Sequence, residues 1–302
     1  MQSKDLLSVS DLTTEDIKQL ITHAIELKKT KKSLLLQGKT LALLFEKPSL
    51  RTRVSFDMAM FQMGGHAIYL SPDEVGLGKR ESVADVAHVL ERYVDIITAR
   101  TFSHQTLVEL AHHASIPVIN ALSDFEHPCQ ALADIMTIYE KKHDLSGLTV
   151  TYIGDGNNVA NSLLLAATLS GMNFNIASPD NYTIDPKIVE QAQKITCNNA
   201  NIRLFTDPHS AIIDADVIYT DVWTSMGQEA EREQRRKDFA GYQINNELLS
   251  QSKPDAIIMH PLPAHYGEEV AEGILYHPNS VVFDEAENRL HIQKAVLALL
   301  AA

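Results

Sequence analysis

Residues able to do chemistry crowd into one stretch, Thr40 to Phe56, TLALLFEKPSLRTRVSF. Ser49 and Thr52 offer hydroxyl donors there, and Arg51 and Arg53 offer guanidiniums. The apolar run Leu41 to Phe45 before them reads as a buried parallel strand. Pro48 blocks its continuation, Ser49 is a good helix N-cap, and an amphipathic run from Arg51 to Met60 follows. A strand that stops at a capped helix points free backbone N–H groups at one spot. The helix dipole adds partial positive charge, so the spot suits a phosphate. Arginines two apart on a helix point different ways. Arg51 is therefore expected to face the anion and Arg53 to pack structurally. The bland alternative, a capped helix with a solvated basic face, leaves the coincidence of arginines, hydroxyls and a helix start unexplained.

Other polar groups invite weaker readings. HPCQ puts His127 and Gln130 at i and i+3, one face of a helix start. Together they suit a carbonyl oxygen and an adjacent NH2, although a structural histidine fits the tetrapeptide equally well. Arg100 closes a strand, where charged side chains are uncommon without purpose. GDGNN, 154–158, superficially resembles a dinucleotide fingerprint, but the third glycine falls at Val159, whose bulk opposes close helix–strand packing. Asn157 and Asn158 suit a polar ligand instead. In DVWTSMG, 221–227, Asp221 stands four residues before Ser225 and reads either as an amine-holding carboxylate or as a solvated one. In MHPLPAHYGEEV, Pro261 and Pro263 bracket Leu262 and stiffen backbone whose carbonyls can accept hydrogen bonds. His260 with His265 hints at a metal, but no carboxylate is read at ligand spacing, so none is expected. Arg289, after FDEAEN, reads as a surface arginine.

The elements that must position these groups alternate. Helices are expected over Asp11–Lys32, Ser82–Val94, Leu107–Ala114 and His127–Tyr139, with strands at Ala67–Leu70, Asp95–Ala99 and Ile116–Ala121. After a polar break, KKHDLSG at 141–147, strands follow at Leu148–Ile153, Phe174–Ala177, Ile202–Phe205, Val217–Thr220 and Ala256–Met259. Helices are expected at Asn158–Leu169, near Pro186–Ile195, and from Glu287 onward. The pattern predicts an α/β protein of two doubly wound parallel-sheet domains, residues 1–140 joined by the terminal helix 287–302, and residues 148–286. Ser49, Arg100, His127, Asn158, Asp221 and His260 all fall at or just past strand ends, where such sheets bind ligands. A cleft between the domains is the expected site.

Composition agrees with this and excludes other classes. The 302 residues allow two cores, and 45% hydrophobic with 22% charged residues is an ordinary globular balance. A net charge of −13 gives no global field for nucleic acid or anionic membrane. Cys129 and Cys197 are too few for a disulfide framework or a zinc site. No apolar run approaches a membrane span and the first residues lack an apolar signal core, so a cytoplasmic protein is expected.

The motifs taken in order, FEKPSLRTR (45–53), AR (99–100), HPCQ (127–130), GDGNN (154–158), DVWTSMG (221–227), HPLPA (260–264) and FDEAENR (283–289), resemble the aspartate/ornithine transcarbamoylases, and within them the ornithine-using members. The resemblance spans nearly the whole chain. It implies transfer of the carbamoyl group of carbamoyl phosphate to the δ-amine of L-ornithine, giving L-citrulline and phosphate, in arginine biosynthesis or the arginine deiminase route. It implies that Ser49, the Leu50 amide, Arg51, Thr52 and Arg100 hold the phosphate. Thr52, Arg100 and His127 would stabilise the oxyanion. Gln130, the Leu262 carbonyl and the Pro261 carbonyl would hold the carbamoyl NH2, with Arg289 nearby. Asn158, Asp221, Ser225 and the Met226 amide would orient ornithine. No metal or organic cofactor is implied, and the assembly is a homotrimer or a multiple of trimers.

The chain departs from the usual pattern at Leu50, where threonine is common, and at Pro261, where ornithine enzymes carry cysteine and aspartate enzymes proline. It also carries Gly76 where a glutamine or histidine usually reaches a neighbouring subunit. The polar loop Asp73 to Ser82, without an apolar anchor, is expected to reach that neighbour through Lys79 or Arg80. The alternatives are a transcarbamoylase for another amine, a nicotinamide-dependent dehydrogenase, and a non-catalytic amino-acid-binding protein.

Overall fold

A computed structural model describes residues 3–30, 32–78, 80–197, 200–225 and 227–301. The first part of the chain runs α1 (Thr14–Lys29), β1 (Thr40–Phe45), α2 (Leu50–Gln62), β2 (His66–Leu70), α3 (Pro72–Val75), α4 (Val83–Leu90), β3 (Ile96–Arg100), α5 (His104–His113), β4 (Val118–Leu122) and α6 (Pro128–Lys142). The remainder runs β5 (Thr149–Ile153), α7 (Asn158–Leu169), β6 (Asn173–Ala177), α8 (Pro186–Ile195), β7 (Ile202–Phe205), α9 (Pro208–Ile212), β8 (Val217–Tyr219), α10 (Arg232–Asp238), α11 (Asn246–Leu249), β9 (Ile257–Met259) and α12 (Val282–Leu300). Helices α3, α9, α10 and α11 were not foreseen. They are short, and so carry little periodic signal.

The chain divides into two compact units, residues 1–133 with 287–302, and residues 134–286. The division falls inside α6, upstream of the polar stretch 141–147, and again inside α12. The first unit holds a four-stranded sheet in the order β2-β1-β3-β4, the second a five-stranded sheet in the order β7-β6-β5-β8-β9. Every pairing is parallel, so the α/β class with two parallel sheets is the one observed.

Burial explains why these segments become strands and helices. Leu41 to Phe45 are all buried, as a central parallel strand covered on both faces requires. Below them Ala42 and Leu44 pack with Val83, Val86, Ile97, Leu107 and Leu110 in one core cluster. On α1 the buried stripe is Ile17, Leu20, Ile21, Ala24 and Leu27, while Ile25 is only half-buried. Helix α7 is buried from Val159 to Leu169, which its nearly continuous apolar sequence foreshadows. The second core gathers Ile153, Ile218, Trp223, Phe239, Ile258 and Val282.

Candidate active site

Each sheet reverses its strand order at one point, between β1 and β3 in the first unit and between β5 and β8 in the second. The crevice past the carboxyl ends of strands at such a switch point is where open α/β sheets bind ligands. The segments leaving β1 and β3 carry Ser49 and Arg100; those leaving β5 and β8 carry Asn158 and Asp221. Four of the six foreseen strand-end residues therefore stand at the switch points, while His127 and His260 follow the edge strands β4 and β9.

In the first unit, Ser49 occupies the cap position of α2 with extended backbone. Its side chain makes no capping hydrogen bond, against expectation, and the first turn holds no acidic residue. The helix start is thus left to attract an outside anion. Arg51 is half-buried, which lowers its pKa, while Leu50 is exposed. Arg53 diverges as expected, but it is exposed and stacks on Tyr69, 3.9 Å from the ring centroid, rather than packing inside.

Thr52 is buried, and its Oγ1 accepts a 2.6 Å hydrogen bond from Nη2 of Arg289. Arg289 is therefore a buried member of the site, not the surface residue its local sequence suggests. The reason is that α12 begins at Val282, five residues before the expected start, so FDEAENR is helix rather than loop. Arg100 is buried at the end of β3, and burial with the charges of Arg289 and Arg51 pushes its pKa down to about 10. Three guanidiniums that repel one another make a place an anion would stabilise. His127, just before α6, is also buried. Burial, then Arg289 and Arg100, hold its imidazole well below the usual range, so it is neutral at pH 7. Gln130 is buried one turn on, its N–H donating to the His127 carbonyl at 3.1 Å. Between them Cys129 is no nucleophile, since burial pushes its thiol up to about 12.

The loop after β2 corrects one expectation and leaves another outside view. Ser71 and Glu74 form a reciprocal cap on α3, and Gly76 ends that turn in the left-handed conformation. Leu77 is buried in the first unit's core, so the loop does have an apolar anchor. Arg80 donates to the Glu74 carbonyl at 3.2 Å, and Lys79 lies outside the described residues.

In the second unit, Asn157 caps α7. Its Oδ1 accepts from the N–H groups of Val159 and Ala160, and its Nδ2 donates to Asp221 Oδ2 at 2.9 Å. Asn158 is the first, half-buried residue of α7. Asp221 is buried, and burial, helped by the Glu269 charge, raises its pKa against the opposing pull of His260 and Asn157. A buried carboxylate raised in this way favours a cation beside it. Ser225 is half-buried with its N–H on Gln228, and Met226 lies outside the described residues.

Sequence reading missed Arg235. It is buried, pairs with Asp155 at 2.7 Å and donates to the Trp223 carbonyl at 2.9 Å, tying the GDGNN turn to the DVWTS segment. Burial, opposed by Arg235, pushes Asp155 up to about 6. The REQRRKD run around Arg235 looks like a solvated basic face, so its sequence carried no signal. Gly156 is glycine because a Cβ there would stand 2.4 Å from the Ile184 nitrogen. Packing explains it without a dinucleotide.

His260 is structural. Its Nδ1 accepts from the Leu262 N–H at 2.9 Å, which leaves the ring proton on Nε2 for Glu269 Oε1 at 3.1 Å. Its own N–H donates to Glu285 Oε2 at 2.8 Å. Leu262 is thereby held at φ +56°, a left-handed conformation costing a non-glycine residue roughly 1–2 kcal/mol. Pro261 is buried beside it.

Comparison with known proteins also divides the chain in two, with the terminal helix counted in the second part. Residues 4–140 match the carbamoyl-P binding domain of the aspartate/ornithine carbamoyltransferases, and residues 146–300 match their Asp/Orn binding domain. The chain belongs to the aspartate/ornithine carbamoyltransferase family. It is 53% identical to the ornithine carbamoyltransferase of Pyrococcus abyssi over 99% of this chain and 96% of that one. It is 52% identical to the protein of Pyrococcus furiosus named "Ornithine carbamoyltransferase, anabolic", over 99% of this chain and 97% of that one. The solved structure of the ornithine carbamoyltransferase from P. furiosus superposes with a TM-score of 0.94 at 53% identity, covering 98% of this chain and 96% of that one. Membership of this family sets aside the dehydrogenase reading.

Proposed function

We propose that the chain transfers the carbamoyl group of carbamoyl phosphate to the δ-amine of L-ornithine, giving L-citrulline and phosphate. The observation that carries this reading is the convergence of Arg51, Arg100 and Arg289 beside the bare start of α2, with Thr52 and a neutral His127. Ser49, the Leu50 N–H, Arg51, Thr52 and Arg100 hold the phosphate. Thr52, Arg100 and His127 donate to the carbonyl oxygen as it gains charge, the step such donors accelerate most. Neutrality suits His127, because it donates without requiring a proton from solvent. Gln130 and the carbonyls of Leu262 and Pro261 take the carbamoyl NH2, with Arg289 close by. Asn158, Asp221, Ser225 and Met226 orient ornithine, Asp221 by its charge. The neutral δ-amine attacks the carbamoyl carbon, the C–N bond forms, the C–O bond to phosphate breaks, and the amine proton leaves with the phosphate. Juxtaposition of the two substrates supplies much of the rate.

The name of the Pyrococcus furiosus relative supports the anabolic direction, arginine biosynthesis. Names of relatives at about half identity favour ornithine over another amine despite Pro261. No helix among the described residues is long and apolar enough to cross a membrane, and a cytoplasmic enzyme is proposed. A homotrimer, or a multiple of it, is proposed because the first unit exposes Val54, Met58 and Phe61 at helical spacing on α2, with Leu34 and Leu35 also exposed. Apolar rows of this kind suit subunit contacts. The test of the reaction is colorimetric: purified protein with carbamoyl phosphate and ornithine should form citrulline, while aspartate, N-acetylornithine and putrescine should give little product. Comparable product from another amine, or none from ornithine, overturns the substrate assignment.

A further inference from the structure

The turn after Leu262 holds a second constellation that the transfer reaction does not use. We infer that His265, Glu268 and Glu269 form a binding site for a divalent transition-metal ion of the zinc class. The sequence reading found no carboxylate at ligand spacing for the histidines, yet these three stand at i, i+3 and i+4. Their ligand atoms lie within 4.8 Å of one another.

The second, independent observation is what these atoms lack. Glu268 is 5% exposed and Glu269 fully buried, yet Oε2 of each has no hydrogen-bond partner among the described residues. Nδ1 of His265 is likewise buried and without one, 3.9 Å from Glu269 Oε2. The other oxygens are occupied. Glu268 Oε1 takes Nη2 of Arg232 at 2.6 Å, with Nε of Arg236 at 3.9 Å, and Glu269 Oε1 takes the His260 ring and the His265 N–H. Each carboxylate thus has one satisfied oxygen and one bare one, and the bare oxygen of Glu269 faces His265 Nδ1. A buried carboxylate oxygen with no donor costs free energy that a cation would offset.

The backbone pre-shapes the turn. Glu268 N–H donates to the His265 carbonyl and Gly267 N–H to the Val270 carbonyl, with Gly267 at φ +84°. Donors about 3.4 Å apart suit tetrahedral bonds of about 2.1 Å, so a modest closing of side chains completes the set. One imidazole with two carboxylates favours zinc-like ions over magnesium, which prefers oxygen ligands and keeps its water. His265 provides entry, since 40% of its side chain is exposed. Arg232 and Arg236 reduce the net negative charge, so micromolar affinity is expected rather than the tighter binding of a structural zinc site.

The test is calorimetric titration of chelator-treated, full-length protein with Zn2+, alongside His265→Ala, Glu268→Gln and a His88→Ala/His113→Ala control on a histidine pair of the first unit whose ring centroids lie 5.6 Å apart. Wild type and control should show one saturable site per chain and a rise in Tm with Zn2+. His265→Ala and Glu268→Gln should fold normally and bind at least tenfold more weakly. Absence of saturable binding in wild type overturns the site, and so does equal affinity in His265→Ala. Neither outcome touches the carbamoyl-transfer reading, which is measured with no added metal.

Discussion

In the first unit, burial and the charges of Arg289 and Arg51 drive Arg100 down to about 10. In the second, buried charges come with internal partners: Asp221 has Asn157, Asp155 has Arg235, and Glu269 has His260. Like charges gathered close together repel, and a ligand of opposite sign relieves that repulsion. Charges held by neighbours are pre-oriented and lose little when a ligand binds. The first unit therefore reads as a site that a phosphate stabilises. The second reads as a receptor in which a raised carboxylate, Asp221, awaits an amine. That division of labour is the one the reaction needs.

The largest effect that sharpens this contrast is expected from Arg51→Ala. Losing a charge-assisted phosphate contact should cost about 3 kcal/mol or more, at least a hundredfold in kcat/KM, with circular dichroism unchanged. A variant of wild-type activity would remove Arg51 from the anion site. Next comes Asp221→Asn, which keeps an oxygen for Asn157 but loses the charge. The ornithine KM should rise about 10- to 100-fold while that for carbamoyl phosphate barely moves. Equal shifts in both would mean a folding defect instead.

A smaller effect separates the units by pH. Burial and the charge of Asp134 push Glu285 well above its ordinary 4.5, and its Oε1 also takes the Tyr219 hydroxyl at 3.3 Å. A carboxyl with a raised folded pKa keeps its proton in the native state. Its contribution is full below pH 4.5 and declines as pH rises from there toward the folded pKa. Glu285→Gln resembles the protonated form, so melting temperatures followed upward from pH 4.5 should lose part of their downward slope; an unchanged slope would exclude Glu285 as its source. The smallest effect is Arg53→Ala. An exposed cation–π contact is worth about 0.5–1 kcal/mol, so chemical denaturation should show that loss with kcat intact.

Much of this was legible in the residues, and the exceptions have physical causes. The strand, the proline stop and the helix start that frame the candidate anion site could be read because they are local signals, and Ser49, Arg51 and Thr52 lie within four residues. Arg289 could not, because its place depends on a contact 237 residues away with Thr52. Asn157 and Asn158 are indistinguishable in sequence; only the cap geometry separates the one that holds Asp221 from its neighbour. Leu77 looked like part of a polar loop because two scattered apolar residues show no period, yet Leu77, with Val75 packed beside the same core, anchors it. The left-handed Leu262 has no sequence signal at all, since it is imposed by the His260 ring beneath it.

The central claim, that the arginine cluster of the first unit is the carbamoyl-phosphate site and the Asp221 region is not, is tested most directly by calorimetric titration with freshly dissolved carbamoyl phosphate in the absence of ornithine. Wild type and Asp221→Asn should bind with the same affinity, and Arg51→Ala should bind about a hundredfold more weakly or not at all. Undiminished binding by Arg51→Ala, or its loss in Asp221→Asn, would contradict the account.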